Sequence, residues 1–326
     1  MRQDTGSEQP GALPPSEQPG ALPPTEQRNP RSRNLDELSS LGVLQLLNAE
    51  NGAAVAAVDA VLPQLADVVD LAAERMRRGG TVHYFGAGTS GRLGVLDASE
   101  LGPTFNLEPG RVVGHIAGGP EALQDAVENA EDSVADGRRA AAGLGPDDVA
   151  IGLAASGSTP YVGGALKAAQ DAGAYTVLVS SNPQAPLSRW ADTHLALDTG
   201  PEVVTGSTRL KAGTAQKLVL NGFSTALMVA LGRTWENLMV SVVATNAKLR
   251  ERTVRILCET VGVDDAAARE LLERTRGDLK AAIVTSLAGV SSAEASALLE
   301  QHAGSVRDAI RAAAPESRPH RREPGS

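Results

Sequence analysis

Five short apolar runs alternate with segments of helical periodicity through the middle of this 326-residue chain. The runs occupy residues 81–86, 111–117, 149–155, 175–181 and 193–198. Helical segments lie between most of them, for example at 120–141 and 160–172. Strands that alternate with helices pair in parallel, and the helices cover both faces of the resulting sheet. The alternation therefore predicts an α/β fold, an α/β/α sandwich built on a five-stranded parallel sheet.

Longer helical segments precede and follow the predicted sheet. Residues 53–78 have the spacing of one long amphipathic helix, and the Gly-Gly pair that follows them is a C-terminal signal. We expect ordered structure to begin near Asn34, where leucines recur at helical spacing. Beyond the sheet, residues 212–258 are expected to form two long helices that break near Gly232. Residues 25–255 would then form one α/β domain with N-terminal helices.

The C-terminal region contains an internal repeat with a period of 27 residues. The pattern of small and apolar positions in 263–283 recurs in 290–310. Such repetition marks tandem helical units, and each copy resembles a small ubiquitin-associated (UBA-like) unit. We expect residues 256–312 to form an all-helical packing or dimerisation appendage, with binding of a ubiquitin-like partner as the alternative.

Both termini have the composition of disordered segments. Residues 7–15 and 16–24 are tandem copies of the nonapeptide SEQPGALPP. Sequence of this kind cannot bury apolar area, so residues 1–24 are predicted to be a disordered extension. The basic, proline-flanked residues 313–326 are predicted to be a disordered tail.

The composition also indicates which partners and compartment to expect. The net charge is −9 and aromatic residues are 2% of the chain, so we expect no nucleic-acid partner and no membrane binding. No apolar run approaches the roughly 18 residues of a membrane span. The single cysteine, Cys258, and the lack of a signal-peptide pattern predict a cytoplasmic protein. Five dispersed histidines lack the spacing of metal ligands, so no metal site is expected.

The first candidate site is a glycine-rich loop directly after the first predicted strand. Residues 86–92 read Gly-Ala-Gly-Thr-Ser-Gly-Arg and precede a helical segment. The spacing matches G-x-G-x-x-G, but the second predicted strand does not end in the acidic residue that a dinucleotide site needs. Hydroxyl groups and free N–H groups at a helix N-terminus suit a phosphate monoester instead. We therefore predict phosphate binding by Gly88, Thr89 and Ser90.

A second hydroxyl-rich loop, Ala155 to Pro160, follows the third predicted strand. Pro160 suits the first position of a helix, which makes Thr159 the N-cap. An ordinary capped junction between strand and helix would have the same sequence. Because open parallel sheets bind ligands at the carboxyl ends of their strands, two such loops together predict a phosphosugar site. Its second half would consist of Ser156, Ser158 and Thr159.

The third candidate is the Gly/Ser/Thr-rich segment 202–217, which enters a helix after the last predicted strand. It contains Arg209, Lys211 and Lys217, whose charges could offset a phosphate or a carboxylate. Solvation of a charged surface is the alternative for each of them. We predict that Ser207 and Lys211 contribute to substrate binding.

Five segments together resemble one enzyme family. They are GAGTSGRLGVLDASE at 86–100, AGGPEALQDAVENAED at 117–132, ASGSTPYV at 155–162, EVVTGSTRLKAGTAQKLVLN at 202–221 and NLMVSVVATNAKL at 237–249. In this order the chain resembles N-acetylmuramic acid 6-phosphate etherases. The resemblance implies a sugar isomerase (SIS) domain over residues 25–255 and a relationship to the glucokinase regulatory protein. The chain departs from the family pattern at Ser158 (usually arginine), Ser241 (usually aspartate) and Leu101-Gly102 (usually Cys-Pro).

The resemblance also implies a reaction. The family's substrate is N-acetylglucosamine 6-phosphate with a D-lactyl ether on C3; lactate is eliminated across C2–C3 and water is then added. The products are N-acetylglucosamine 6-phosphate and D-lactate, in the catabolism of cell-wall amino sugars. Such chemistry needs an acid and a base, each contributing roughly 10²–10⁴-fold, and no metal or other cofactor. Glu100 matches the general acid for the departing lactate, and Glu131 matches the group for ring opening or C2 proton removal. Asp97 and Asp132 are interpreted as solvated or structural.

The separation of Ser90 and Glu100 adds a constraint. An unbroken helix would place ten residues between them over about 15 Å, further than a sugar spans between its phosphate and C3. Either the helix breaks near Gly94 or Glu100 enters the site of a neighbouring subunit, and we favour a homodimer with a composite active site. Two alternatives stay open, a non-catalytic phosphosugar-sensing regulator and an aldose–ketose sugar-phosphate isomerase. The etherase-like run that ends at Glu100 argues against both.

Overall fold

Five parallel strands form the central sheet of the computed structural model, which describes residues 22–242 and 247–314. The strands are β1 (Val82–Gly86), β2 (Val112–Ile116), β3 (Val149–Leu153), β4 (Tyr175–Ser180) and β5 (Thr193–Ala196). They pair in the order β2-β1-β3-β4-β5. The predicted five-stranded parallel sheet is confirmed. Most of the termini predicted to be disordered, residues 1–21 and 315–326, lies outside the described residues.

Helices cover both faces of the sheet and extend the chain beyond it. They are α1 (Ser40–Asp59), α2 (Leu62–Arg77), α3 (Gly88–Phe105), α4 (Val134–Ala140), α5 (Pro160–Asp171), α6 (Lys211–Ala230), α7 (Ala247–Val261), α8 (Asp265–Arg274), α9 (Leu279–Ala288), α10 (Ser292–Gln301) and α11 (Val306–Ala313). Successive strand residues face opposite sides. Tyr84 therefore enters the core beneath α1, α2, α3 and α6, and Phe85 enters the core beneath α4 and α5. The predicted α/β/α sandwich is confirmed.

Helix α3 lies in close contact with strands β1 and β2. A Cβ atom on Gly114 of β2 would lie 2.6 Å from the Cα of Val95, and one on Gly94 would lie 3.1 Å from the Cβ of Tyr84. Both distances are shorter than an ordinary carbon–carbon contact, so glycine is needed for this approach. The contact holds the start of α3 against the carboxyl end of β1, where the first candidate loop lies.

The prediction of one helix over residues 53–78 is wrong. The chain forms α1 up to Asp59 and begins α2 at Leu62. Pro63 explains the break, because its ring clashes with the carbonyl group four residues earlier and it has no N–H to donate.

The prediction of a helix over residues 120–141 is wrong for most of that range. The chain forms 3-10 turns at Gly119–Leu123 and Ala130–Asp132, and only α4 is α-helical. Gly118 and Asn129, which precede the two turns, have φ angles of 85° and 59°. A left-handed residue interrupts a right-handed helix, so the region forms short turns instead.

The segment after α6 connects the sandwich to the C-terminal helices. Helix α6 ends at Ala230, and Gly232 has a φ of 67°. The predicted break near Gly232 is confirmed. The next helix, α7, begins only at Ala247, so it is shorter than the sequence pattern indicated.

The C-terminal repeat forms two successive helix pairs, α8 with α9 and α10 with α11. Asp264 and Ser291 cap the first helix of each pair, and Asp278 and Ser305 cap the second. Equivalent caps are 27 residues apart, which is the period of the sequence repeat. The four helices and α7 share a separate core around Leu257. The predicted helical region is confirmed, whereas its likeness to a ubiquitin-associated unit and the boundary at residue 256 stay predictions.

Helix α1 has the length and composition of a membrane span, with 20 residues and a mean hydropathy of 1.2. No other single helix in the described ranges has this length and composition. Helices α9 and α10 have them only when taken together, as a pair bent by 108°. Helix α1 packs against α6, and the carboxylate of its Glu50 is buried in an ion pair. We therefore assign α1 to the helical layer of the sandwich.

The ion pair joins α1, α6 and the N-terminal segment. Lys211 Nζ donates to Glu50 Oε2 at 2.6 Å, and the two side chains are 5% and 6% exposed. Asn29 Nδ2 donates to the same oxygen at 2.9 Å, and Arg31 Nη1 lies 2.9 Å from Oε1. Burial opposes ionisation of Glu50, but the hydrogen bonds from Lys211 and Asn29 and the nearby positive charges hold its pKa below the ordinary value.

The N-terminal segment is ordered well before Asn34, where we expected structure to begin. Pro24–Glu26 forms a 3-10 turn, and Thr25 is fully buried. The Thr25 carbonyl accepts a hydrogen bond from the backbone N–H of Gly206 at 3.0 Å. The segment is thus attached to the loop that precedes α6.

Removal of Lys211 alone should destabilise the protein more than removal of both members of the ion pair. Lys211→Met leaves a buried carboxylate without its closest donor, and an uncompensated buried charge costs about 3–5 kcal/mol. We expect the free energy of unfolding to fall by about 3 kcal/mol, because Arg31 still neutralises Glu50 in part. Urea unfolding of Lys211→Met, Glu50→Gln and the double variant measures the coupling. If the double variant loses as much free energy of unfolding as the two single variants together, the proposed coupling between Lys211 and Glu50 is contradicted.

Candidate functional site

Two hydroxyl-rich loops lie side by side at the carboxyl ends of neighbouring strands. Strands β1 and β3 pair in register from Val82 with Val149 to Gly86 with Leu153. The loops that follow these strands therefore leave the sheet at the same level, one into α3 and the other into α5. The topology brings the predicted Ser90 and Ser156 loops together at one edge.

The N-termini of α3 and α5 have no side chain that caps them. The N-cap of α3 is Ala87, which has no capping group, and Thr159, the N-cap of α5, makes no side-chain capping hydrogen bond. The first backbone N–H groups of both helices therefore keep their capacity to bind an anion. The predicted positions of Thr159 and Pro160 at the start of α5 are confirmed.

The N-terminus of α6 differs, because a carboxylate of the protein occupies it. Glu202 is fully buried and accepts hydrogen bonds from the backbone N–H groups of Lys211 at 3.3 Å and Ala212 at 2.9 Å. The Lys211 ammonium is bound to Glu50, and the Ser207 N–H donates to the carbonyl of Val204. Glu202 and Lys211 of the third loop thus have partners within the protein. The roles of Ser207 and Lys211 in substrate binding stay predictions.

Ser90 contacts α6 through Gln216, which the sequence pattern did not single out. Ser90 Oγ donates to Gln216 Oε1 at 2.8 Å. Gln216 is 1% exposed, and its Nε2 has no hydrogen-bond partner among the described residues. An unpaired buried amide is costly, so Gln216 is a candidate donor to a bound substrate. Gly88 is exposed and has a φ of 51°, and Thr89 lies against Gly213 of α6.

The second loop is organised by hydrogen bonds to Ser156. Ser158 Oγ donates to Ser156 Oγ at 3.0 Å, and the Ser156 carbonyl accepts from Asn182 Nδ2 at 3.1 Å. Asn182 is buried and lies after β4, so a third strand end contributes to the site. A polar residue directly after a strand was the signal that could have identified it.

A cavity of about 420 Å³ adjoins the second loop. Ser156, Ser158 and Asn182 line one side of it, and Gln27 of the N-terminal segment lines another. The residues Leu22 to Pro24, which the sequence pattern assigned to the disordered extension, also line it. The volume lies within the usual range for small-molecule sites.

Glu100 lies far along α3 from the phosphate loops. Helix α3 runs unbroken from Gly88 to Phe105, so it does not break near Gly94. Ten residues of helix separate Glu100 from Ser90 by about 15 Å. Glu100 is exposed and lines a groove of about 350 Å³ between α3 and α6, together with Lys217 and Asn221.

Asp97, one turn before Glu100, is buried, so its interpretation as a solvated carboxylate is wrong and the structural one holds. Its Oδ2 accepts a hydrogen bond from Tyr84 Oη at 3.0 Å, and its Oδ1 accepts one from Ser224 Oγ at 2.9 Å. Burial raises the pKa of Asp97 from 3.8 to about 6. The hydrogen bonds and the charge of Lys217 act in the opposite direction.

Glu131 lies on a different part of the sandwich from Glu100. It is exposed in the 3-10 turn Ala130–Asp132, which packs against α5. Glu131 does not line the groove that contains Glu100. No group of three or more His, Cys, Asp or Glu side chains is placed to hold a metal ion in these ranges.

The fold and the paired loops define a sugar isomerase type of domain. The family model of the glucokinase regulatory protein N-terminal SIS domain matches residues 64–170, which include both hydroxyl-rich loops. Among solved structures, a phosphoheptose isomerase from Francisella tularensis aligns at 16% identity with a TM-score of 0.45, over 58% of this chain and 98% of that chain.

Sequence relatives identify the family. The N-acetylmuramic acid 6-phosphate etherase of Thermobifida fusca (strain YX) is 54% identical over 260 residues, which are 80% of this chain and 86% of that protein. The enzyme of the same name from Pectobacterium atrosepticum is 52% identical over 263 residues, 80% of this chain and 87% of its own length. This chain belongs to the N-acetylmuramic acid 6-phosphate etherase family. The resemblance carried by the five sequence segments is confirmed.

The raised pKa of Asp97 should make stability depend on pH. Between pH 3.8 and about 6 the folded protein binds the Asp97 proton more tightly than the unfolded chain does. The stabilisation by protonated Asp97 is therefore present below pH 3.8 and is lost as the pH rises to above about 6. Over this pH range the free energy of unfolding should fall by up to about 3 kcal/mol. Urea unfolding from pH 4 to 7 should show that Asp97→Asn lacks this decline. Asp132→Asn, an exposed carboxylate on a turn, is the matched control. Parallel pH curves for wild type and Asp97→Asn would contradict the assignment.

Proposed function

We propose that this chain is a carbon–oxygen lyase that cleaves the D-lactyl ether of N-acetylmuramic acid 6-phosphate, with N-acetylglucosamine 6-phosphate and D-lactate as products. The relatives that bear this name are 54% and 52% identical over 80% of the chain. In the structure, the proposal rests on the two uncapped helix N-termini at the carboxyl ends of β1 and β3. Two positive helix ends beside hydroxyl groups are a binding site suited to a phosphate monoester.

The phosphate of the substrate would lie between the starts of α3 and α5. Gly88, Thr89 and Ser90 would bind it from one loop, and Ser156, Ser158 and Thr159 would bind it from the other. Each hydroxyl bond to a charged oxygen contributes roughly 1.5–3 kcal/mol. The sugar would extend into the cavity beside Asn182 and the N-terminal segment.

The reaction that we propose is an elimination followed by hydration. Opening of the sugar ring makes C1 an aldehyde, which acidifies the proton on C2. A base removes this proton, and the C3–O bond breaks as an acid protonates the departing lactate oxygen. Water then adds across the C2–C3 double bond. Glu100 is proposed as the acid, and Glu131 as the group for ring opening or C2 proton removal.

A homodimer with a composite active site accounts for the position of Glu100. Because α3 is unbroken, a single sugar cannot reach both Ser90 and Glu100 of one chain. The groove around Glu100 lies beside exposed apolar residues, with Leu96 of α3 48% exposed and Leu218 of α6 40% exposed. We propose that a second copy of the chain covers this face and brings Glu100 into its partner's site.

The proposed substrate also supports a place in the cell. The one free cysteine is compatible with a reducing compartment, in which an enzyme for a phosphorylated sugar would act. We propose a cytoplasmic role in the catabolism of cell-wall amino sugars. Binding of a phosphosugar without catalysis, as in a regulator, is the alternative that the next test separates.

Glu100→Gln should abolish lactate release and change substrate binding by only a few-fold. The substitution keeps the shape of the side chain and removes the proton that the leaving group needs. A coupled assay for D-lactate and calorimetry with the substrate measure the two effects. Glu270→Gln, on the exposed surface of α8, is the matched control.

Solvent exchange in the same variants separates the two glutamates. In heavy water, Glu100→Gln should still introduce deuterium at C2 of recovered substrate, whereas Glu131→Gln should not if Glu131 removes that proton. Wild-type lactate release by Glu100→Gln would remove Glu100 from the mechanism. If the wild type binds the substrate without releasing lactate, the chain is a phosphosugar-binding regulator.

Mixed dimers test the composite site. Glu100→Gln and Ser90→Asp should each be inactive, the second because its carboxylate repels the phosphate. In an isologous dimer with composite sites, a mixed dimer has one intact site, so an equal mixture should recover about a quarter of wild-type activity. Activity of each variant alone and of the co-refolded mixture provides the measurement. A mixture that stays inactive although mixed dimers form would place both residues in the site of one chain.

A further inference from the structure

A second cavity, of about 660 Å³, lies between the sandwich and the C-terminal repeat. One wall consists of Met76 and Arg77 at the end of α2 and of Arg111 just before β2. The facing wall includes Lys280 of α9 and the residues between α10 and α11. The segment that follows α6 closes one side with Trp235. We call this cavity the rear cleft.

The rear cleft is on the opposite edge of the sheet from the proposed active site. Arg111 precedes β2, so it lies at the amino ends of the parallel strands, whereas the Ser90 and Ser156 loops follow the carboxyl ends of β1 and β3. Five-residue strands separate these edges by about 16 Å. A ligand in the rear cleft therefore cannot be the substrate bound at the two loops.

The rear cleft is positively charged although the chain as a whole has a net charge of −9. Its lining contains five positively charged side chains, Arg77, Arg111, Arg233, Lys280 and Arg307, against two carboxylates, Glu236 and Asp308. Only one of the five, Arg233, has a carboxylate partner among the described residues. The guanidinium of Arg77 donates to the Ala230 carbonyl and that of Arg111 to the carbonyls of Met76 and Gly79. Each keeps further N–H groups for an anion.

Lys280 is the side chain that most clearly needs an anion. Its ammonium donates to the carbonyls of Gly232 at 2.7 Å and Gly304 at 2.9 Å, which leaves a third N–H available. Burial and the nearby charge of Arg233 lower the pKa of Lys280 to about 8, although the charge of Asp278 acts in the opposite direction. An anion in the cleft would place a negative charge beside Lys280 and Arg233. This charge would offset both the burial of Lys280 and the repulsion between the two cations.

We propose that the rear cleft binds a phosphorylated small molecule that contacts both the sandwich and the C-terminal repeat. A cavity of this volume accommodates a molecule the size of a sugar phosphate. Arginine guanidinium groups bind phosphate oxygens in a two-pronged geometry, and Trp235 offers a flat apolar surface beside them. Because the ligand would contact both walls, its binding would stabilise the docking of the C-terminal repeat on the sandwich.

Trp235 provides a direct reporter of the rear cleft. The chain has two tryptophans, so Trp190→Phe leaves Trp235 alone. The guanidinium of Arg307 lies 5.3 Å from the centre of the Trp235 ring, so an anion that moves Arg307 should change the fluorescence. We expect saturable changes on titration of Trp190→Phe with glucose 6-phosphate and with inorganic phosphate, and none with glucose.

Variants assign the signal to the cleft. In the Trp190→Phe background, Arg307→Gln and Lys280→Met should each raise the phosphate concentration needed for a half-maximal fluorescence change by about tenfold or more. Each variant removes a charged hydrogen-bond donor to the ligand. Arg307 is exposed, so Arg307→Gln tests binding even if Lys280→Met fails to fold. Ser90→Asp, which disables the proposed active site, should leave the response intact. Absence of a saturable change with both phosphate probes, or a change that survives both cleft variants, would overturn the proposal. These outcomes do not depend on lactate release.

Discussion

The close contact between α3 and the sheet determines the geometry of the candidate site. A Cβ atom on Gly86 would lie 2.6 Å from the backbone nitrogen of Gly91, and one on Gly114 would lie 2.6 Å from the Cα of Val95. A Cβ atom on Gly91 of α3 would lie 2.7 Å from the Gly86 carbonyl oxygen, so glycine is required on both sides of this contact for packing alone. The same contact directs the uncapped start of α3 to the carboxyl end of β1. The G-x-G-x-x-G spacing is thus explained here by helix–strand packing, without the acidic residue of a dinucleotide fold.

Buried carboxylates occupy the start of α6 but not the starts of α3 and α5. Glu202 accepts hydrogen bonds from the N-terminal N–H groups of α6, and Glu50 is paired with Lys211, so these groups of the third loop have partners within the protein. A carboxylate at a helix N-terminus is favourable electrostatically, as a phosphate would be. The helices α3 and α5 have no such internal partner. The free helix N-termini of α3 and α5 are therefore the basis for the proposed phosphate position between the ends of β1 and β3.

The sequence predicted those features that depend on neighbouring residues and missed those that depend on distant contacts. The strands and the first residue of α5 were predictable because apolar runs and the Thr159-Pro160 pair are local signals. Pro63 is also a local signal, for a helix break, but the helical periodicity on both sides of it indicates one continuous helix. The pairing of Lys211 with Glu50 joins residues 161 positions apart, so no spacing rule could show it. The contact of Gln216 with Ser90 is of the same kind, because it joins residues 126 positions apart, whereas Asn182 had a local signal in its position after a strand.

The hydrogen bonds of Asp97 fix the orientation of α3 and therefore the direction in which the exposed Glu100 points. The Asp97 carboxylate links Tyr84 of β1 to Ser224 of α6, which prevents α3 from rotating between the sheet and α6. Residues three apart lie on the same face of a helix, so Glu100 must face the groove between α3 and α6. Lys217 lies in that groove and contributes a positive charge that also acts on Asp97. One aspartate is thus buried at the cost of a raised pKa, and the glutamate one turn later stays at the surface, where a second chain can reach it. The two carboxylates of this helix have different surroundings, because Asp97 is enclosed by α6 and Glu100 is not.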